Sequence, residues 1–179
     1  MTRKHVYPKH GNLSLPAIAN PPKTFYRQET DWTCSIACIR TMMSGFLTQV
    51  PGEEELVQQF QLTPGPHYSK QIKERQILAA YDAIYGCDLE KPDFAQVIQL
   101  MAEGYYVMLE SMYNYAHWYV LLGYYPLEDQ DIEKSKLLIY DPYYNEVRLL
   151  NADEFLSMWI DGDYEHTRVK HDFIALRGK

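Results

Sequence analysis

The sequence predicts an α+β domain with its helices first and antiparallel strands after them. Three observations carry this. From Cys34 onward apolar or small residues recur at helical spacing, and Asp93 with Gln96 forms a capping-box pattern ahead of an apolar stripe. Beyond Tyr105 the chain turns to short runs rich in β-branched, aromatic and leucine residues, each bounded by turn chemistry. Runs of helices followed by runs of strands segregate as α+β, whereas a parallel sheet would alternate them.

Residues 1–24 carry Pro8, Pro16, Pro21 and Pro22 with little periodicity and read as an extended arm, while 25–179 reads as a single domain. In the first helix Cys34, Ala37, Cys38, Thr41, Met42 and Gly45 share one face, with Thr33 or Asp31 as N-cap. After Pro51-Gly52, the carboxylates of Glu53, Glu54 and Glu55 favour the positive end of a short second helix that buries Leu56, Val57 and Phe60. Thr63-Pro64-Gly65-Pro66 ends it in a rigid loop. Ser69 caps a third helix, with Ile77, Ala80, Tyr81 and Ile84 inward, closing near Gly86. The fourth buries Phe94, Val97, Ile98 and Met101 and stops at Gly104. Strands are expected at 105–111, 118–124, 136–140, 146–150 and 170–176. One helix interrupts them at 152–160, with Asn151 and Glu154 as capping pair and Phe155, Leu156, Trp159 and Ile160 inward.

With 179 residues, 46% of them apolar, the chain can pack one core, and a second full domain is not expected. Lys and Arg number 17 against 24 Asp and Glu, a net charge of −7, and no long basic run occurs; nucleic acid is therefore not an expected partner. Apolar stretches such as 118–122 fall far short of the roughly 20 residues of a membrane helix, so no membrane insertion is expected. Arg3, Lys4 and His5 precede no apolar block, and three cysteines make no disulfide framework. A reducing, cytoplasmic setting is the expectation, which signal-independent export would match equally. Composition leaves the oligomeric state open.

The segment Gln28-Glu29-Thr30-Asp31-Trp32-Thr33-Cys34-Ser35-Ile36-Ala37-Cys38 places a cysteine where a helix should begin, and helix-end N–H groups favour a thiolate. It resembles papain-like cysteine peptidases of the C39 type, in which a glutamine precedes the nucleophile by about this interval. Ala116-His117-Trp118-Tyr119-Val120-Leu121-Leu122-Gly123 is similar to the family's catalytic-histidine strand, and Leu138-Ile139-Tyr140-Asp141-Pro142-Tyr143 to its Asp-Pro motif. Phe155 and Trp159 match its late helix. The resemblance covers roughly 25–177 and departs at Ser35, where the family commonly has Gly. A similar Trp-x-Cys block also occurs in proteins called guanylyl cyclase-like, but no nucleotide-phosphate loop accompanies it here.

The resemblance implies a papain-like fold, with the helix carrying the nucleophile packed on an antiparallel sheet, and a cofactor-free enzyme acting on a peptide or protein substrate. Cys34 would attack a carbonyl, His117 would hold the thiolate and protonate the leaving amine, Asp141 would orient the ring, and Gln28 with the Cys34 N–H would bind the oxyanion. An acyltransferase or transpeptidase could use the same groups, and a degenerate member could only bind peptide. Taken singly, each residue has a plainer reading: Cys34 a buried apolar residue, His117 a core histidine, Asp141 a turn former. Cys34 and Cys38, with His117 and Cys87, make a zinc alternative, although i, i+4 is not a usual zinc-finger pair. Cys38 reads as core, Cys87 as a loop residue, and His67, His166 and His171 as surface histidines.

Overall fold

The computed structural model describes residues 18–89, 92–113, 115–126, 134–162 and 167–179; most of the expected arm, and His166, lie outside them. In chain order the elements are β1 (Ile18–Ala19), α1 (Cys34–Met43), α2 (Glu53–Gln59), α3 (Ser69–Glu74) and β2 (Asp82–Tyr85). A 3₁₀ turn at Gly86–Asp88 leads to α4 (Phe94–Ala102), then β3 (Tyr106–Ser111), β4 (His117–Tyr125), β5 (Lys136–Asp141) and β6 (Glu146–Asn151). The chain ends with α5 (Ala152–Ser157), β7 (Ile160–Gly162), β8 (Thr167–Lys170) and β9 (Phe173–Arg177). None of the described helices is long and apolar enough to cross a membrane.

An antiparallel sheet in the order β2-β9-β3-β4-β5-β6 forms the centre, with β1 added to β4, while β7 and β8 pair as a separate hairpin. One face packs on α1, α2 and α3 through Met108, Trp118, Val120, Leu138, Tyr140 and Ile174. The other packs on α4 and α5 through Val107, Leu109, Tyr119, Leu121, Ile139 and Phe173. Two covered faces explain why β4, buried at every position, reads as a continuous apolar run instead of alternating. They also correct the expected segregation: α4, read as part of one helical half, crosses to the opposite face of the sheet.

Local signals hold where a side chain caps its own helix. Asp93 accepts the Gln96 N–H at 2.9 Å, the Asp93 N–H bonds Gln96 at 3.1 Å, and Gly104 at φ +89° ends the following turn. The third helix is shorter than its apolar spacing suggested. It stops at Glu74, Gln76 takes a left-handed φ of 56°, and Ile84 belongs to β2, where it opposes Ala175 of β9. A short apolar run fits either period, and here the open edge of β9 decides. For the same reason the late helix ends at Ser157 and Ile160 opens β7, whose partner is β8. The expected strand at 170–176 divides at His171, which sits at φ 57°.

A Cβ on Gly86 would lie 2.9 Å from the Phe173 backbone nitrogen and 3.1 Å from the His171 carbonyl oxygen, both main-chain atoms with little room to yield. Gly86→Ala is expected to destabilise the protein by about 1–3 kcal/mol, the usual cost of forced overpacking, measured as a lowered urea midpoint with unchanged slope.

Candidate active site

The site is built where α1 meets the end of the sheet. α1 is buried from Ser35 to Met43, and its first residue, Cys34, is half-buried. Thr33 ends the preceding loop but does not cap the helix with its side chain; its hydroxyl accepts the Thr30 N–H at 3.1 Å and closes the loop on itself. Pairing of β4 with β5 begins only at Val120, and beyond that point α1 meets the polar edge of β4. Cys38 Sγ donates to the Trp118 carbonyl at 3.3 Å, and the Trp118 N–H bonds the Cys34 sulfur.

His117 opens β4 and Asp141 closes β5, both fully enclosed. His117 Nε2 donates to Asp141 Oδ1 at 3.0 Å, which leaves Nδ1 as the ring nitrogen with no bonded partner among the described residues. The Asp141 carboxylate also accepts the Tyr143 N–H at 3.0 Å, an Asx turn that the Asp-Pro-Tyr-Tyr sequence favours. Arg148 reaches its other oxygen at 3.8 Å. His117 and Cys34 line one cleft of about 400 Å³, together with Trp32, Ser35, His67, Glu110, Trp118 and Asp161.

Gln28 is tied to the same corner through its backbone N–H, which donates to the Pro142 carbonyl at 3.1 Å. Its side chain is turned aside: Nε2 donates to the Thr30 carbonyl at 2.8 Å and buried Oε1 has no partner. The cleft therefore gathers Cys34 and His117, Asp141 backs the histidine, and Gln28 stays out of the lining. Cys38 lies inside the core and Cys87 on the surface, and among the described residues no group of three or more His, Cys, Asp or Glu side chains is arranged to hold a metal ion.

Burial pushes the Cys34 thiol up to about 11, and the charge of Glu110 acts in the same direction. The N–H groups of Trp118, Ser35 and Cys34 itself oppose this by favouring the anion. The thiol is thus held protonated unless a cation stands beside it.

Two cleft residues escaped the sequence reading. His67, expected at the surface, sits half-buried in the cleft: Nε2 donates to the Thr63 carbonyl at 3.0 Å, so Nδ1 accepts from the Ser35 hydroxyl at 3.3 Å. The Trp118 indole bonds the His67 carbonyl at 3.0 Å, so Trp118 and Ser35 together pin the 63–68 loop over the helix start. Glu110 had no local signal at all. It is 3% exposed, its Oε2 has no donor, and burial with the nearby carboxylates of Asp161 and Asp172 pushes its carboxyl up to about 10.

No family model matches the chain, and no curated protein matches it. Among solved structures it is similar to the crystal structure of UfSP from C. elegans, a papain-like cysteine protease, at 17% identity and a TM-score of 0.54. The match covers 94% of this chain and 35% of that one, so this chain spans about a third of that protein's length. The likeness is one of fold.

Glu110 makes stability depend on pH. Unfolded, it titrates near 4.5, and folded near about 10, so between these values unfolding releases a proton. Its contribution is whole below pH 4.5 and lost as the pH rises through about 10. Glu110→Gln keeps the shape but cannot ionise, so the fall in urea midpoint from about pH 5 to about pH 9 is expected to be smaller than in wild type. Equal falls would mean that Glu110 is ionised in the folded protein.

Proposed function

We propose that the chain is a cysteine peptidase or related thiol amide hydrolase whose triad is Cys34, His117 and Asp141. The observation that carries this reading is the 3.0 Å bond from His117 Nε2 to the buried Asp141 at the cleft that Cys34 borders. An imidazole whose Nε2 is fixed by a carboxylate presents Nδ1 as base, the arrangement that thiol activation needs. The likeness of fold to a papain-like protease agrees with it.

In this reading Cys34 passes its proton to His117 Nδ1, and the imidazolium supplies the cation that the buried sulfur otherwise lacks. Asp141 stabilises that imidazolium and holds the ring plane. The thiolate adds to the carbonyl carbon of a peptide or other amide, and the oxyanion is bound by the Cys34 N–H, which the Gln28 amide joins once its side chain turns from the Thr30 carbonyl into the cleft. A donor of this kind is worth about 3 kcal/mol of barrier. His117 then protonates the departing amine, and water, deprotonated by the same ring, releases the acid from the thioester.

The test is alkylation of Cys34 by iodoacetamide as a function of pH, followed by mass spectrometry in a Cys87→Ser background, because Cys87 is exposed and would compete. Wild-type Cys34 is expected to react near pH 7 at least about tenfold faster than in His117→Ala, where reaction should rise only toward about 11, the value burial imposes. Cys38, with no exposed surface, should stay unmodified. Wild-type reactivity that followed the same alkaline rise as His117→Ala would overturn the reading. Cys34→Ala should leave the melting temperature nearly unchanged, since one small half-buried side chain at a helix start contributes little packing.

A further inference from the structure

Glu110 takes no part in this chemistry, yet it is a buried carboxyl in the wall of the cleft beside the sulfur, and its Oε2 accepts no hydrogen bond. Asp161, 4% exposed, lines the same wall, and Asp31 lies at the rim. The third acid, Asp172, accepts the N–H and hydroxyl of Ser69 and so fixes the start of α3 beside β9, and with Asp161 it also hydrogen-bonds the Glu110 carboxyl. Among the described residues no Lys or Arg lines the cleft against these acids, and no ion pair reaches Glu110 or Asp161. A cluster of buried carboxyls that bond only one another and have no counter-charge is costly and is retained only where something offsets it.

The chemistry of the wall narrows what that partner is. The acids are not arranged as a metal cluster. Their half-buried neighbour Trp32 lines the same cleft, and an aromatic ring there suits a flat organic cation better than a hydrated ion. We propose that Glu110 and Asp161 form a subsite for a positively charged substrate group, a guanidinium or alkylammonium, next to the bond that Cys34 attacks. Its place beside the reacting bond rests on the thiol-hydrolase reading; its preference for a cation does not.

A guanidinium carries five N–H donors in one plane, enough to serve Glu110 Oε2 and the Asp161 carboxylate together. Its charge would favour ionised Glu110 and displace the proton the empty site retains.

The test is a binding titration of the full chain with acetyl-Gly-Arg-Gly-amide and with its citrulline counterpart, which has the same shape and no charge. The arginine peptide is expected to bind at least about tenfold more tightly, and to slow alkylation of Cys34 by iodoacetamide as it occupies the cleft. Glu110→Gln and Asp161→Asn should each cut the preference to under about threefold; the two are read separately, so misfolding of one leaves the other as the test. Equal affinity for the two peptides, or a preference that survives both substitutions, would overturn the subsite. A protein that prefers arginine while Cys34 behaves as in His117→Ala would keep the cation subsite and overturn the hydrolase reading. A reactive Cys34 with no preference would overturn the subsite alone.

Discussion

The structure depends on one constraint: α1 is enclosed on every side, with its first turn pressed against the edge of β4 where β5 has stopped pairing. A buried helix must find partners for its polar residues, and an unmet buried group costs about 1–3 kcal/mol. Here the chain on either side of the helix, chiefly residues 24–29, supplies them. Thr41 accepts the Tyr26 N–H at 3.0 Å, Ser44 accepts the Thr24 N–H at 3.0 Å and returns a bond to the Thr24 carbonyl, and Arg40 donates to the Pro51 carbonyl and to Glu29. The Arg40 guanidinium also lies over the Tyr26 ring at 4.2 Å. Residues 24–29 are thereby strapped along the helix, and this strap aims the loop that ends in Cys34.

The same enclosure sets the electrostatic problem of the site. Desolvation raises the Cys34 thiol, Glu110 raises it further, and only backbone N–H groups act the other way. His117 is well placed to change the balance because its partner is itself immobilised: Asp141 is held at a strand end, its Oδ1 bonded from the following turn. Rigidity of this kind comes from the central strands, and the loops carry the variable groups. Ser35 and His67 decide how the 63–68 loop covers the helix start, and the β7–β8 hairpin brings Asp161 to face Glu110.

The two faces of the sheet divide the work. The α1 face carries the cleft and tolerates polar groups at its margin, whereas the α4 and α5 face is filled by aromatic contacts such as Phe94 against Trp159 and Tyr119 against Phe155. Stability drawn from that second core offsets the cost of the buried acids on the first.

What was legible in the sequence was local. Cys34 opening a helix, the Asp93–Gln96 box and the strands around His117 and Asp141 follow from spacing and capping, which act between residues a few positions apart. The helical stretch assigned to 69–86 failed because residues 82–85 are claimed by β9, a partner some ninety positions away, and a four-residue apolar run carries no period long enough to resist it. Glu110 was unreadable for the same reason. In a strand a lone glutamate signals a wet face, and only the approach of β9, the β7–β8 hairpin and the start of α1 removes the water from it. Gln28 shows the converse: its position in the chain was recognisable, but the direction of its amide, toward Thr30, is chosen by a hydrogen bond of the folded loop. The sequence alone determined which groups with reactive chemistry the protein owns and the elements that bear them. Tertiary structure decided which of those groups are dehydrated and paired, because burial and charge are sums over neighbours that the linear order does not place.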